Sequence, residues 1–293
     1  MKRITIFIML VAFMAGSASA LSVKKKSIRM VGTQQVTAAP VTDFEQAVNA
    51  YSDDDLSTAL TAINRYLKSH PNDAYGLTCL AAIQSDMGNT HQALQAIDKA
   101  RSGRIEADNN YMNNWMYFTQ STVHIQAKDT ISAIEDLNMA LKYDNKDTFS
   151  YLRRANMFKR MRRYDEAMVD YGYLVQLDPN EVEGYLGLGT VAGSLNKRKD
   201  AIKAYTMAIK LEPDNPEPYA LRAVEYYNDW DYGKAAKDVI SALELDKDNR
   251  RAIWILKYLK RDAYTDTEKE FKNKAKKTKD NSWIEILNDL VIE

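Results

Sequence analysis

The stretch YLGLGTVAGSLNKRKDAIKAYTMAIKLEP, residues 185–213, decides the fold of this chain of 293 residues. Apolar and small residues recur at helical spacing on both sides of a polar break at Asn196, and Pro213 follows the second segment. Proline cannot continue the hydrogen-bond ladder of a helix, so it fits just beyond a helix end. The stretch therefore predicts two helices joined by a short turn.

The same arrangement recurs every 34 residues along the chain. Ala59 and Ala93 are 34 residues apart, and the same spacing separates a later series of alanines, Ala133, Ala167, Ala201 and Ala235. The step from Ala93 to Ala133 is 40 residues, so six extra residues lie between the two series, at about 108–113. Counting places these alanines at position 20 of six repeats, which span residues 40–73, 74–107, 114–147, 148–181, 182–215 and 216–249.

Two further positions of the repeat keep this register. Position 8 is always small, and its residues are Ala47, Ala81, Ser121, Ala155, Gly189 and Ala223. Position 24 is always large, and its residues are Ile63, Ile97, Leu137, Tyr171, Tyr205 and Val239. We expect the small residues to lie where the two helices of a repeat cross, with the large ones filling the space beside them. A single repeat cannot bury its apolar face alone, so stacked repeats must share one core.

This pattern resembles the tetratricopeptide repeat over about residues 40–249. The resemblance is strongest in 185–213 and in YLRRANMFKRMRRYDEAMVDYGYLVQLDP, residues 151–179, where Arg154 replaces the usual leucine. It implies an all-α fold, a right-handed superhelical solenoid of antiparallel helix pairs. Residues 250–293 are interpreted as a degenerate seventh repeat and a C-terminal helix, which either caps the solenoid or docks into its groove. In the second helix of the seventh repeat, Tyr264, Phe271 and Ala275 are expected to form one narrow apolar stripe.

The beginning of the chain is typical of a secretory signal peptide. Lys2 and Arg3 precede an apolar run over 4–16, and Ala18-Ser19-Ala20 offers a small-residue cleavage site, so residues 1–20 are interpreted as a signal peptide. The run is too short to be a good membrane anchor, and we expect no stable membrane span after cleavage. Residues 21–39 are interpreted as a flexible basic leader. The expected location is outside the cytoplasm, in the periplasm or at the cell surface.

Composition and motifs argue against a catalytic function and against nucleic-acid binding. The chain carries 40 basic and 40 acidic residues, so it has no global field that would attract nucleic acid. The histidines, His70, His91 and His124, lie too far apart in the repeat order to form an obvious metal site. We expect no catalytic residue, no metal ion and no cofactor. Cys79 is the single cysteine, so no internal disulfide is available, and we expect its thiol to be buried.

The resemblance also implies a binding surface. In the family, positions 2, 5, 9, 12 and 13 of each first helix point into a concave groove. Transferred to this chain, they give a candidate partner-binding set of Trp115, Phe118, Ile125, Phe149, Leu152, Asn156, Lys159 and Arg160. Aromatic anchors beside cations are typical of protein-binding hot spots, which favours an extended or helical peptide with an acidic group. The alternative is that positions 2 and 5 simply pack against the adjacent repeat.

The most probable function is therefore a non-catalytic interaction scaffold of the cell envelope that binds another protein or peptide, and self-association is also open. A small-ligand or glycan-binding solenoid is the alternative. One family subtype binds chaperone carboxyl termini through a clamp with lysine at position 5. Here position 5 of repeats 3 to 6 is never lysine, and its residues are Phe118, Leu152, Leu186 and Ala220, so chaperone binding is not expected.

Overall fold

A computed structural model of the protein describes residues 42–103 and 109–289, and the predicted signal peptide and leader lie outside these residues. Within the described ranges all regular structure is helical. The fifteen helices are α1 Asp43–Ser52, α2 Leu56–Ser69, α3 Ala74–Asp86, α4 Thr90–Ser102, α5 Asn110–Gln126, α6 Thr130–Tyr143, α7 Thr148–Arg160, α8 Tyr164–Leu177, α9 Val182–Ser194, α10 Arg198–Leu211, α11 Pro216–Asn228, α12 Tyr232–Leu245, α13 Arg250–Asp262, α14 Tyr264–Thr278 and α15 Ser282–Asp289.

The chain divides into two compact bodies, which are described separately. The N-terminal body ends at Asn145 and contains α1 to α6, and the C-terminal body begins at Lys146 and contains α7 to α15. In both bodies the helices pack in sequential pairs, α1 on α2, α3 on α4 and so on to α11 on α12. The prediction of an all-α protein built from helical hairpins is therefore confirmed.

Helix boundaries follow the 34-residue spacing closely. Four first helices begin at the first residue of a repeat, namely Ala74, Thr148, Val182 and Pro216. There are two exceptions: α1 begins at Asp43, three residues into the first repeat, and α5 begins at Asn110, four residues before the third repeat. Of the six extra residues, 110–113 therefore lengthen a first helix by about one turn.

Small residues lie at the helix crossings, as the sequence predicts. The position 20 alanines are completely buried in all six repeats. At position 8, a Cβ added to Gly189 would lie 2.5 Å from the ring of Tyr205, the position 24 residue of the same repeat. A larger residue at position 8 would therefore push the two helices apart.

Each hairpin turn has the same backbone geometry. Position 15 has a positive φ in every repeat, and its residues are Asp54, Gly88, Lys128, Arg162, Asn196 and Trp230. The following N–H donates to the carbonyl five residues earlier, at 2.8–2.9 Å, as from Asp129 to His124 and from Lys197 to Ala192. A left-handed residue followed by this bond is the Schellman ending of a helix. Glycine suits the position best, yet only one of the six is glycine.

Two repeats contain a buried ion pair that explains the unusual Arg154. Its guanidinium donates to both carboxylate oxygens of Asp170, at 2.7 and 2.8 Å. Arg222 and Asp238 form the same bidentate pair two repeats later, at 2.8 Å. Both aspartates are almost completely buried. In these repeats, a hydrogen-bonded ion pair between arginine at position 7 and aspartate at position 23 thus replaces an apolar contact between the two helices.

The C-terminal residues pack onto the last repeat. Phe271 of α14 and Trp283 of α15 are buried in one cluster with residues of α11, α12 and α13, and their rings lie 6.2 Å apart. Leu287 of α15 is also buried there. One expectation is wrong, because Tyr264 does not share the apolar stripe of α14 and is 41% exposed. Thr267 takes the buried place one turn further along.

No described helix is both long and apolar enough to cross a bilayer.

Cys79 of α3 is buried, as predicted, and burial raises the pKa of its thiol to about 12. At neutral pH this thiol is therefore protonated and inert.

Candidate functional site

The predicted partner-binding residues are divided between the two bodies. Trp115, Phe118 and Ile125 lie on α5 in the N-terminal body, and the other five lie on α7 in the C-terminal body. Phe118 is only 9% exposed, so it fits the alternative in which position 5 packs within the fold. Trp115 is half-buried against the core cluster that joins α1, α2, α3 and α5. Partner binding by these three residues stays a prediction.

The α7 residues are more accessible. Phe149 at position 2 is 44% exposed, Leu152 at position 5 is half-buried, and Arg160 at position 13 is exposed. Arg160 makes no ion pair with any residue in the described ranges. One exposed and one half-buried apolar side chain thus lie on the same helix face as an unpaired guanidinium, since positions 2, 5, 9, 12 and 13 follow the helical period.

Asn156 and Lys159 are held by the core beneath them. The hydroxyl of the buried Tyr171 donates to Oδ1 of Asn156 at 2.7 Å. The Lys159 ammonium lies 5.6 Å from the centre of the same ring. Burial lowers the pKa of Lys159, and the nearby Glu183 carboxylate partly opposes this. Asn156 therefore supports the position of Tyr171, whereas Lys159 is half-buried and keeps a charge close to the surface.

The same face continues onto α9, α11 and α13, because neighbouring first helices contact one another in the C-terminal body. The first-helix face is defined here as positions 2, 5, 9, 12 and 13 of α7, α9, α11 and α13. Its far end carries three aromatic rings. Trp254 is 49% exposed and lies 4.6 Å from Tyr258, which in turn lies 6.2 Å from Tyr227.

The aromatic end was only partly visible in the sequence. Tyr227 lies at position 12 of the sixth repeat, one of the groove positions, but Trp254 and Tyr258 belong to the degenerate seventh repeat. Counting that repeat from Arg250 puts them at positions 5 and 9, which is the signal that would have found them. Helix α13 can therefore both cap the last repeat and contribute exposed side chains to the first-helix face.

Ion pairs organise the charges around the aromatic end. Arg251 and Glu217, both at position 2, are joined at 3.0 Å. Asp262 accepts hydrogen bonds from Arg261 and from the Tyr227 hydroxyl, and these lower its pKa to about 2. This end of the face is therefore locally neutral, in contrast to the cationic end at Lys159 and Arg160.

Side chains that could support catalysis or metal binding are scattered. No group of three or more His, Cys, Asp or Glu side chains suited to a metal ion occurs in residues 42–103 and 109–289. His124 is buried, with Nδ1 2.6 Å from an oxygen of Asp136, which also pairs with Arg101. These side chains tie α4, α5 and α6 together. The arrangement defines a class of protein, a stack of helical hairpins with an exposed face on its first helices.

Comparison with known proteins shows what the chain is similar to. Residues 182–215 match the tetratricopeptide repeat family. The chain is 29% identical over 120 residues to the small glutamine-rich tetratricopeptide repeat-containing protein 2 of Saccharomyces cerevisiae, which covers 41% of this chain and 32% of that protein. It is 24% identical over 211 residues to the Hsp70-Hsp90 organizing protein of Triticum aestivum, covering 71% and 36%. The chain thus matches about a third of the length of these relatives.

Solved structures agree on the fold. The C-terminal part of a TPR repeat-containing protein from Cytophaga hutchinsonii has a TM-score of 0.64 at 14% identity, covering 83% of this chain and 99% of that one. YrrB, described as a TPR protein with an unusual peptide-binding site, has a TM-score of 0.58 at 16% identity, covering 66% and 97%. The fold is therefore similar to that of tetratricopeptide-repeat proteins, which generally mediate protein–protein interactions.

Proposed function

We propose that the protein is a non-catalytic interaction scaffold whose first-helix face binds a segment of another protein. The segment is expected to place apolar side chains against Phe149 and Leu152 and an acidic group against Lys159 and Arg160. Export to the cell envelope, inferred from residues 1–20, belongs to the same proposal.

The observation that carries the proposal is the exposure of large apolar side chains on this face. Phe149 and Trp254 both expose more than two fifths of their surface, although each belongs to a helix whose other side is packed. Exposed aromatic side chains on the same face as an unpaired arginine favour an interface, because such residues contribute most of the free energy of protein association.

The repeat family and the relatives support the general function but not a particular partner. The name of the wheat relative links that protein to Hsp70 and Hsp90. We do not extend the link to this chain, because Leu152, Leu186 and Ala220 occupy positions where the chaperone clamp is expected to have lysine.

Charge reversal at the cationic end tests the proposal. Lys159→Glu with Arg160→Glu should reduce recovery of the partner at least about tenfold in affinity capture from an envelope extract, because an acidic group would then meet two carboxylates. The matched control is Lys199→Glu with Lys210→Glu, which makes the same charge change at exposed sites on the second helix α10. Far-ultraviolet circular dichroism should be the same for all three proteins.

Equal recovery with both double variants would contradict binding at this face. The alternative function, a small-ligand or glycan-binding solenoid, makes a different prediction. In that case neutral sugars should raise the melting temperature, and the effect should disappear on Trp254→Ala but persist in Lys159→Glu with Arg160→Glu.

A further inference from the structure

A second exposed site lies at the turn between α11 and α12, beside the aromatic end of the first-helix face and at the opposite end from Lys159 and Arg160. Trp230 occupies position 15 of this turn, with a φ of 62°, and is 78% exposed. The fold needs only a residue that tolerates the left-handed region, and the same turn in other repeats uses Gly88, Asn196 or Lys128. Neither packing nor backbone geometry therefore accounts for the largest side chain at this position.

Trp230 forms one wall of an aromatic corner. Its ring lies 6.0 Å from that of Tyr232 at an interplanar angle of 76°. Tyr232 is held from behind by Tyr227, at 5.6 Å. In this edge-to-face contact the edge of one ring meets the face of the other, and the high exposure of Trp230 leaves indole surface open to solvent, where a cation can bind.

The corner opens into a polar cleft of about 470 Å³. Its lining combines the two rings with four carboxylates and one lysine, namely Asp229, Trp230, Asp231, Tyr232, Gly233, Asp266, Lys269 and Glu270. Asp231 pairs with Lys234, and Glu270 lies 3.7 Å from Lys237. Asp229 and Asp266 have no ion-pair partner in the described part of the chain.

The charges of the lining residues determine which kind of ligand this cleft would bind. Carboxylates brought together on a surface repel one another, and a bound cation relieves that repulsion. A neutral sugar could stack on Trp230 but would leave Asp229 and Asp266 without an ion-pair partner. The geometry points to recognition of a lysine or arginine side chain, presented by a segment of a partner protein, between Trp230, Tyr232, Asp229 and Asp266.

This site has the opposite charge preference to the first-helix face, where Lys159 and Arg160 favour an acidic segment. The two surfaces are therefore separable by experiment. A partner, or two partners, with basic and acidic segments would be held at two places on the C-terminal body.

The test measures binding of a dye-labelled hexapeptide, two central lysines flanked by glycine and serine, to the full chain at about 20 mM salt by fluorescence anisotropy. A peptide with norleucine in place of lysine is the uncharged control. We expect Trp230→Ala to weaken binding of the lysine peptide about tenfold, and Trp230→Phe, which keeps a π face, to weaken it much less. Asp229→Asn with Asp266→Asn should weaken it several-fold, and salt at about 300 mM should do the same.

Matched controls separate the site from general surface effects. Ile131→Ala removes another strongly exposed apolar side chain, and Asp98→Asn with Glu135→Gln removes two exposed carboxylates elsewhere, so neither should change the affinity. Lys159→Glu with Arg160→Glu should not weaken it either, which distinguishes failure here from failure of the proposed function. Equal binding of the norleucine peptide, an unchanged affinity in Trp230→Ala, or Trp230-dependent binding of a neutral oligosaccharide without binding of the lysine peptide would each overturn the inference.

Discussion

The tightest helix contact in the C-terminal body yields a sharp prediction about Gly187. This residue of α9 is buried beside Tyr171 of α8, the completely buried residue at position 24 of the preceding repeat. A Cβ added to Gly187 would lie 2.2, 2.3 and 2.7 Å from three atoms of the Tyr171 ring. Ordinary carbon contacts are about 3.5–4.0 Å, so the ring or the helix would have to move by more than about 1 Å.

The magnitude follows from two opposing effects. Overpacking of this kind costs about 1–3 kcal/mol, and Tyr171 has little freedom to move because its hydroxyl is bonded to Asn156. Replacing glycine by alanine inside a helix stabilises it by about 1 kcal/mol. With the steric cost at the upper end, Gly187→Ala should lower the free energy of unfolding by about 2 kcal/mol.

Gly172 provides a control of opposite sign. It lies within α8, and a Cβ added there would meet no atom within 4 Å. Gly172→Ala should therefore raise the free energy of unfolding by up to about 1 kcal/mol, since only the helix-propensity effect remains. The two alanine variants should differ by about 3 kcal/mol, in urea titrations followed by far-ultraviolet circular dichroism.

A double-mutant cycle identifies the contact responsible. In a Tyr171→Leu background the ring is gone, so Gly187→Ala should be neutral or should stabilise the protein by up to about 1 kcal/mol, giving a coupling free energy of about 2–3 kcal/mol. The reasoning would be refuted if Gly187→Ala stabilised the protein as much as Gly172→Ala, or if its cost were the same with leucine at residue 171.

Two further predictions concern the turns and the buried thiol. Lys128→Gly should stabilise the protein by about 1 kcal/mol, because Lys128 has a φ of 62°. In contrast, Lys142→Gly in the last turn of α6 should destabilise the protein by up to a similar amount. Thermal melts of both variants check this. The pKa of the Cys79 thiol is about 8.5 in the unfolded protein and about 12 in the folded protein. The contribution of the buried thiol to stability is therefore complete below about pH 8.5 and is lost as the pH rises towards 12. Between pH 7 and 10 the unfolding free energy should therefore fall by about 2 kcal/mol more than in Cys79→Ala, and equal slopes would refute this assignment.

Some features of the chain could be predicted because they repeat. Ala133, Ala167, Ala201 and Ala235 mark a helix crossing whatever the rest of the repeat contains, since only a small residue lets two helices approach closely. The same regularity gave the starts of α7, α9 and α11. By contrast, the spacing of Tyr264, Phe271 and Ala275 predicts one apolar stripe, yet Tyr264 is 41% exposed while the other two are buried, because spacing alone does not show where packing against the neighbouring helices ends.

The candidate site was less predictable, because the exposure of a side chain depends on which other side chains and helices pack against it. Phe118 and Leu152 both occupy position 5, yet the first is buried and the second is only half-buried. Lys159 and Arg160 are adjacent cations, but only Lys159 lies near Tyr171 and Glu183. The pairing of Arg154 with Asp170 joins residues 16 positions apart on two helices, which no single-helix pattern reveals.

The sequence by itself determined the helical hairpin, its length of 34 residues and the small residues at its crossings, because local periodicity and steric size act within one repeat. Only the tertiary structure decided that Phe149 and Trp254 remain exposed, that Trp230 and Tyr232 meet at a corner, and that carboxylates from α14 face them. Those features depend on side chains brought together from different helices, and hydrophobicity along the chain does not encode which of them another helix will cover.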